Sequence, residues 1–303
     1  MKFTSGKCSS DRKLYGMIAL ITGGSSGIGK ETARDLCRRG CNVVITSIDM
    51  SEAYNAKKEI LNTVPNAKIT VMLLDLRSFK GIKDFARSFC EEHRKLDILV
   101  NNAGVGGPDH LALTEDGIES QVQTNFYGPV LLTCLLLDLL KHSDYGRIIN
   151  LSSTLHLWGK IDFDNMKGIK PFNQFQSYCF SKIALILFSK KWSEELKSTA
   201  ITINCVHPGL VNTTIFRDIS FFFRMFIYLG NFLMMKTPIE GAQTSIYVAV
   251  SEEVSGVSGE YFADCKPGRY KRSICDNKEL RDRFYNKTMK IIGFEEKYRA
   301  TTS

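Results

Sequence analysis

Short apolar runs alternate along the chain with longer amphipathic stretches, and this alternation limits the fold more than any other feature of the sequence. Short runs rich in β-branched residues predict buried strands, and the stretches between them have the length and spacing of helices. This order predicts an α/β fold with one doubly wound parallel sheet and helices on both faces. The strands are expected at 18–21, 43–46, 69–74, 98–100, 147–151 and 201–206, and the helices at 28–39, 52–62, 79–93, 118–140 and 177–196.

The alternation runs on without a repeat or a low-complexity linker, so the 303 residues predict one main domain rather than the two that length alone would allow. We expect this domain at 16–265, between a basic linker at 1–15 and a basic extension at 266–303. Two segments interrupt the rhythm: a polar insertion at 157–175 and a stretch rich in Phe and Met at about 213–237. Long irregular segments of compact domains commonly form lids or binding loops, which is the expectation for both.

The formal net charge of +8 is concentrated at the two ends of the chain. Residues 1–15 carry +3 and residues 266–303 carry +6, so the middle is close to neutral. No basic stripe with interleaved aromatic residues marks a nucleic-acid-binding module, and we expect no nucleic-acid partner. An anionic membrane surface is the expected partner of the basic ends, with ordinary solvated charge as the alternative. The longest apolar stretch, 221–235, contains Arg224 and is too short to span a membrane.

The nine cysteines include no Cys-x-x-Cys pair, which argues against a zinc site and against a disulfide framework. We therefore expect no bound metal, and we expect free thiols of the kind found in a reducing compartment.

A glycine-rich turn follows the first predicted strand. It reads Thr22-Gly-Gly-Ser-Ser-Gly-Ile-Gly29 and leads directly into the first predicted helix. Glycines let the backbone approach a pyrophosphate closely, and the free N–H groups of a helix N-terminus attract the anion. The turn therefore predicts a dinucleotide site, with the spacing T-G-x-x-x-G-x-G in place of the more common G-x-G-x-x-G.

Further motifs follow in order along the chain. Asn101-Asn-Ala-Gly104 comes at the end of the fourth predicted strand, and Pro208-Gly-x-x-x-Thr213 follows the sixth. With the glycine-rich turn, these motifs resemble the short-chain dehydrogenase/reductase family over almost the whole chain. The resemblance implies a Rossmann-like sheet and hydride transfer with a nicotinamide cofactor. It also implies a catalytic tetrad of Asn125, Ser153, Tyr178 and Lys182.

The same resemblance implies the cofactor contacts. The glycine-rich turn would hold the pyrophosphate, an acid after the third strand would lie beside the adenine, and the Pro-Gly turn would lie beside the nicotinamide. The expected cofactor-binding residues are Thr22, Gly23, Ser25, Ser26, Gly27, Ile28, Gly29, Ser47, Asp75, Leu76, Asn102, Ala103, Gly104, Tyr178, Lys182, Pro208, Gly209, Val211 and Thr213.

Tyr178 and Lys182 lie on one face of the predicted helix, because residues four apart are neighbours there. A phenol with a pKa of about 10 exchanges protons poorly near neutrality, and a nearby ammonium lowers that pKa. Tyr178 is thus the expected acid–base residue. The resemblance implies that Ser153 holds the substrate oxygen, with Ser152 as the alternative. It also implies that Lys182 holds the nicotinamide ribose and that Asn125 interrupts its helix to anchor a water.

The choice between NAD and NADP depends on the end of the second strand. An acid there binds the ribose 2′-hydroxyl of NAD, whereas a nearby basic residue binds the 2′-phosphate of NADP. The sequence has Ser47 and Ile48 at these positions, and Asp49 lies further on. Because Ser47 does not repel a phosphate, we expect a preference for NADP, with NAD as the alternative.

The long insertion between Ser153 and Tyr178, together with Val206-His-Pro-Gly209, is similar to the microsomal retinol dehydrogenase/retinal reductase branch of the family. This resemblance implies a hydrophobic alcohol or aldehyde as the substrate, with retinol and retinal first. Aromatic and Met side chains of the segment at 213–237 suit such a substrate. The expected substrate contacts are Ser153, Phe221, Phe222, Met225 and Phe226.

The branch further implies the endoplasmic reticulum membrane, on its cytosolic face. Its usual anchor does not precede the linker Ser5-Gly-Lys-Cys-Ser9, so a cytoplasmic location is the alternative. A homodimer is expected through the apolar segment at 130–140, because many relatives dimerise through that helix. The alternative functions are a steroid or fatty-aldehyde carbonyl reductase and, from another class, a non-catalytic nucleotide-sensing regulatory protein.

Overall fold

A computed structural model describes residues 6–211 and 235–294 of the chain. These residues form one eight-stranded sheet in the order β3-β2-β1-β4-β5-β6-β7-β8. Neighbouring strands pair in parallel from β3 to β7, and the short β8 pairs antiparallel to β7. The strands are β1 (Ile18–Ile21), β2 (Asn42–Ser47), β3 (Lys68–Leu73), β4 (Ile98–Asn101), β5 (Arg147–Leu151), β6 (Thr202–His207), β7 (Tyr261–Ala263) and β8 (Lys266–Pro267). The predicted doubly wound parallel sheet is confirmed.

Helices cover both faces of this sheet. They are α1 (Gly27–Arg38), α2 (Met50–Thr63), α3 (Phe79–Glu92), α4 (Ser120–Val122), α5 (Gly128–Leu135), α6 (Leu137–Lys141), α7 (Gln174–Glu195), α8 (Pro238–Val250), α9 (Arg272–Cys275) and α10 (Lys278–Ile291). Successive strand residues point to opposite faces, so Leu20 packs in the layer that contains α3, α5 and α7, while Ala19 and Ile21 pack in the layer that contains α1 and α8.

The single helix predicted at 118–140 is wrong. The observed segment begins with α4, passes through a π-helical turn at Gln123–Tyr127, and breaks again between α5 and α6. Asn125 lies in the π-helical turn, and its side chain bonds the backbone of Val105 in both directions, at 2.8 and 3.0 Å. These side-chain bonds to a neighbouring loop accompany the widened turn. The interruption therefore falls at a residue of the predicted site, as π-turns often do.

The apolar residues at 130–140 are mostly buried within this chain. Val130, Leu131, Leu136 and Leu140 belong to the core between α5 and the neighbouring elements. Their hydrophobicity therefore reflects intramolecular packing. The homodimer expected through this segment stays a prediction.

The last described helix packs against α7. Phe284 and Tyr285 of α10 are buried, and the ring of Phe284 lies 6.4 Å from that of Phe180 on α7. Arg281 forms an ion pair with Glu194 at the end of α7. The basic segment expected as an extension at 266–303 thus contains β8 and a helix that completes the packing around α7.

Part of the segment expected as a lid lies outside the described residues, because residues 212–234 belong to neither described range. The expected contacts that also lie outside the described residues are Thr213, Phe221, Phe222, Met225 and Phe226. Across the two described ranges, no helix is both long and apolar enough to cross a bilayer.

Candidate active site

A cleft of about 860 Å³ opens where the carboxyl ends of the parallel strands meet. Open α/β sheets bind their ligands at this edge. Most of the expected cofactor-binding residues line it: Thr22, Gly23, Ser25, Ser26, Gly27, Ile28, Ser47, Asp75, Leu76, Asn102, Ala103, Gly104, Tyr178, Lys182 and Pro208. Gly29, Gly209 and Val211 do not line it; Gly29 and Val211 are buried, and Gly209 lies beside Lys236.

The glycine-rich turn has the backbone that an anion site requires. Gly23 and Gly27 adopt positive φ angles of 62° and 52°, and a Cβ on Gly23 would lie 3.0 Å from the Cα of Ala103. Ser26 is the N-cap of α1 but makes no side-chain capping bond, and the first turn of α1 carries no acid. The N-terminal N–H groups of α1 therefore remain available to a phosphate.

Asn102 braces this turn from the neighbouring strand. Its Nδ2 donates to the carbonyl oxygens of Thr22 at 2.8 Å and Gly23 at 3.0 Å. The Thr22 hydroxyl oxygen in turn accepts from the backbone N–H groups of Asn102 and Ala103, each at 3.0 Å. The glycine-rich turn and the motif at 101–104, which are about 80 residues apart in sequence, are therefore hydrogen-bonded to each other at the floor of the cleft.

The far end of the cleft is built from the ends of β2 and β3. Ser47 and Ile48 line it as expected, together with Glu52 at the start of α2. The carboxylate of Asp49 caps α2 instead, because it accepts from the N–H groups of Ser51 and Glu52 at 2.8 and 3.2 Å. Asp49 therefore does not replace the missing acid at Ser47.

Asp75 and Arg77, which both line this end, form an ion pair across the loop after β3. Arg77 donates through Nε and Nη2 at 2.8 to 3.2 Å, and these bonds hold the pKa of Asp75 below its usual value. The sequence motifs identify Asp75 but not Arg77 or Glu52. Only the pairing of β2 with β3, which is a tertiary contact, brings Arg77 to the same pocket as Ser47.

The opposite end of the cleft contains the expected acid–base pair. The Nζ of Lys182 lies 5.4 Å from the centroid of the Tyr178 ring and donates to the carbonyl oxygen of Leu151 at 3.0 Å. Lys182 is 4% exposed, and burial lowers its pKa to about 8. Burial also raises the pKa of Tyr178 to about 12, although a hydrogen bond with Ser153 acts in the opposite direction. Near neutral pH, Lys182 is therefore charged and Tyr178 retains its proton.

The two serines after β5 have different partners. Ser152 is buried and donates to the carbonyl oxygen of Lys182 at 2.8 Å, so its hydroxyl is occupied. Ser153 accepts from the N–H of Leu155 at 3.2 Å and lies within hydrogen-bonding contact of Tyr178. Ser153 thus contacts Tyr178 without lining the cleft, whereas Ser152 lines the cleft and bonds the helix that carries Lys182.

Asn125 lies behind Lys182 rather than in the wall of the cleft. A Cβ placed on Gly104 would meet the Oδ1 of Asn125 at 3.3 Å and the Nζ of Lys182 at 3.5 Å, so the two side chains flank this glycine. Asn125 also donates to the hydroxyl of Ser181 at 3.4 Å. All four expected tetrad residues are thus grouped around the start of α7.

Two histidines lie near the site, and each has one ring nitrogen without a hydrogen-bonding partner among the described residues. The Nε2 of His156 and the Nδ1 of His207 are buried and have no partner within the part of the chain that is described. Burial, with the charge of Lys236, lowers the pKa of His207 to about 4, so this ring is neutral near pH 7. A partly buried ring that stays neutral is typical of a residue that packs beside the site.

Comparisons with known proteins agree with this geometry. A family model described as short chain dehydrogenase matches residues 17–221. Bovine retinol dehydrogenase 12 is 40% identical over 291 residues, which cover 96% of this chain and 91% of the relative, and human retinol dehydrogenase 13 is 39% identical over 297 residues, covering 96% and 89%.

Solved structures have the same fold. An uncharacterized protein from Mycobacterium paratuberculosis superposes with a TM-score of 0.76 at 25% identity, covering 96% of this chain and 98% of its own. A short chain dehydrogenase from Shigella flexneri 2a, solved in complex with NADP, superposes with a TM-score of 0.67 at 20% identity, covering 85% and 100%. The second likeness concerns the fold alone.

Proposed function

The chain belongs to the short-chain dehydrogenase family, in its retinol dehydrogenase branch, and from this premise we propose that it transfers a hydride between NADP and a hydrophobic alcohol or aldehyde, with retinol and retinal as the substrates. The coarser activity, oxidoreduction at a CH–OH group, follows from the family. The observation that carries the proposal is that Tyr178 and Lys182 line one end of a cleft that also contains the glycine-rich turn, with Ser153 hydrogen-bonded to Tyr178.

The chain's own groups suit a bound dinucleotide. The turn at Gly23 and Gly27 leaves room for a pyrophosphate, and the uncapped N-terminus of α1 would donate to it. Asp75 would lie beside the adenine and Lys182 beside the nicotinamide ribose. The bound cofactor would supply the hydride and accept it in the reverse direction.

Tyr178 is the proposed proton donor for carbonyl reduction. The phenol is protonated near neutral pH, so a proton is available for the carbonyl oxygen, although burial raises its pKa and makes it a weaker acid, opposite to the lowering expected from Lys182. Ser153 would hold that oxygen through its hydroxyl, whose oxygen already accepts from Leu155. The buried ammonium of Lys182 would stabilise the phenolate that remains, because opposite charges attract strongly away from water. Alcohol oxidation, which needs Tyr178 as the phenolate to accept the proton of the alcohol, should therefore increase with pH.

The preference for NADP is supported by Ser47, which places no negative charge at the end of β2. The alternative is NAD, and the carboxylate of Glu52 in the same end of the cleft favours it. The substrate proposal is supported by the relatives that are named retinol dehydrogenases. A steroid or fatty aldehyde remains the alternative substrate.

We place the protein at the cytosolic face of the endoplasmic reticulum membrane, as the branch implies. Basic side chains that point away from the core on α10 support contact with an anionic surface, since Lys278 and Lys290 are exposed.

Initial rates with NADPH and NADH, measured for all-trans-retinal, a steroid ketone and nonanal, test this function. We expect NADPH with retinal to give the highest kcat/KM. Tyr178→Phe should lower the rate by about a thousandfold while NADPH still binds, because only the transferable proton is lost. Reduction within a few-fold of wild type in that variant would exclude the mechanism. A tenfold advantage for NADH, or retinal as the poorest substrate, would exclude the cofactor or the substrate separately. No turnover with any aldehyde would favour the regulatory alternative.

A further inference from the structure

We propose that Arg77 supplies the positive charge that binds the 2′-phosphate of NADP, in place of a basic residue after β2. This inference rests on the proposed function, since it concerns the cofactor of the same cleft. It assigns the selectivity for the phosphate to the loop after β3, where neither the glycine-rich turn nor the tetrad lies.

The argument begins with the charges that line the cleft. Among its described lining residues, Lys182 and Arg77 are the basic ones, and Lys182 lies at the catalytic end. The acids at the other end are Asp75, Glu52 and Glu115. Arg77 is therefore the one cationic side chain among the described lining residues that could bind a dianionic phosphate at this end. Ile48, the residue after β2, is apolar and 61% exposed and offers no charge.

Strand pairing places Arg77 close to the end of β2. Ser47 pairs with Leu73, the last residue of β3, and the Leu74 N–H donates to the Ser47 carbonyl oxygen at 3.1 Å. Arg77 follows a few residues later in the loop that turns into α3. Its long side chain is 53% exposed and lines the same end of the cleft as Ser47.

The ion pair with Asp75 orients the guanidinium of Arg77 but engages only some of its N–H donors. Nε and Nη2 bind the carboxylate, whereas Nη1 has no hydrogen bond in the described residues. A guanidinium can bind a carboxylate on one edge and phosphate oxygens on another, because its donors point in fixed directions. Asp75 thus holds Arg77 in place and leaves a charged donor free for the phosphate.

Binding measurements with cofactor fragments test this assignment without turnover. In titration calorimetry, 2′,5′-ADP and 5′-AMP differ by the phosphate in question. Arg77→Gln should weaken 2′,5′-ADP about tenfold or more and leave 5′-AMP within about twofold, because a charge-assisted hydrogen bond is lost only with the phosphate. Arg77→Lys should recover part of the loss. Arg87→Gln, which removes an exposed arginine of a similar short-range ion pair outside the cleft, is the matched control.

Steady-state kinetics should agree, with the KM for NADPH raised in Arg77→Gln, that for NADH little changed, and kcat similar to wild type. Equal weakening of both fragments would mean that Arg77 only maintains the adenine pocket, and unchanged 2′,5′-ADP binding would exclude any role; either result overturns the inference. If the wild-type protein bound neither fragment, the proposed function itself would fail.

Discussion

Ser152 donates its hydroxyl to the main-chain carbonyl of Lys182 at 2.8 Å, so the strand end that precedes the catalytic serine also fixes the helix that carries the catalytic lysine. Lys182 returns the contact by donating from Nζ to Leu151, the residue before Ser152. Two hydrogen bonds beside the reacting groups therefore join the end of β5 to α7. This arrangement separates the roles of two adjacent serines.

Replacement of each serine should have a different result. Ser153→Ala should lower kcat by about a hundredfold with little change in stability, because it removes a donor to the reacting oxygen. Ser152→Ala should lower the free energy of unfolding by about 1 kcal/mol and change kcat much less, since it removes a buried structural bond. Urea unfolding and retinal reduction measure the two effects. The reverse pattern, with the larger loss of kcat in Ser152→Ala, would reassign the catalytic serine.

Glu52→Gln should increase the affinity for NADPH about threefold and leave NADH nearly unchanged. Glu52 lines the same end of the cleft as Ser47, and its carboxylate repels a second phosphate at short range in a partly solvated site. Quenching of cofactor fluorescence measures both dissociation constants. Glu92→Gln is the control, because Glu92 is exposed and lies outside the cleft. An equal gain for NADH would mean that the effect is a general one on net charge.

His207 should make the protein less stable in mild acid. Its folded-state pKa is lowered to about 4, whereas the unfolded value is 6.5. Above about pH 6.5 both states are neutral and His207 contributes nothing to the pH dependence. As the pH falls towards 4, His207 binds a proton in the unfolded state but not in the native state, so the free energy of unfolding falls by up to about 3 kcal/mol.

His207→Gln should therefore lose less stability between pH 7 and pH 4.5 than the wild type does. Equilibrium urea unfolding at the two pH values measures this difference. His110→Gln serves as the control, because the His110 side chain is 75% exposed. If wild type and His207→Gln lost stability in parallel, the histidine would not be the group that titrates.

Binding to vesicles that contain anionic lipid should weaken with salt. Exposed Lys278 and Lys290 on α10 provide charge at the surface, and salt screens it over about 10 Å at 0.1 M. Lys278→Glu with Lys290→Glu should reduce binding several-fold in a flotation assay, whereas Lys80→Glu with Lys83→Glu on α3 should not. Charge reversal is preferable to truncation, because removal of α10 would also expose the core. Salt-insensitive binding would assign the contact to apolar side chains instead.

The sequence predicts the central sheet well, because six strands each carry a local apolar signal, although β3 at the sheet edge has only one buried residue. β1 and β5 have the predicted bounds, and the other four differ by one residue at one or both ends. The glycine-rich turn is equally local, since its residues are contiguous. The tetrad is spread over residues 125–182, and its grouping is what the family resemblance implies; the catalytic roles of its members stay predictions until the variants are measured.

The features that the sequence did not predict depend on contacts between distant segments. The interruption at Asn125 came from the family resemblance alone, because the bonds of Asn125 to the loop at Val105 leave no local pattern in the sequence. β7 is too short to give an alternating signal, and it is a strand because β6 lies beside it. Arg77 belongs to the cleft only through the pairing of β2 with β3. A basic residue two positions after the acid at the end of β3 is the one sequence signal that could have indicated it.

The packing of α10 on α7 has a consequence for the order in which the molecule can become active. The strands and the glycine-rich turn at the dinucleotide end come from the first half of the chain, whereas Phe284 and Tyr285 are among the last described residues. A chain emerging from the ribosome can therefore assemble the floor of the cleft early, while the helix that carries Tyr178 still has a bare apolar side. The mature packing of α7 must therefore wait until α10 has been synthesised, and a chain interrupted before α10 would leave an apolar side of α7 exposed to chaperones.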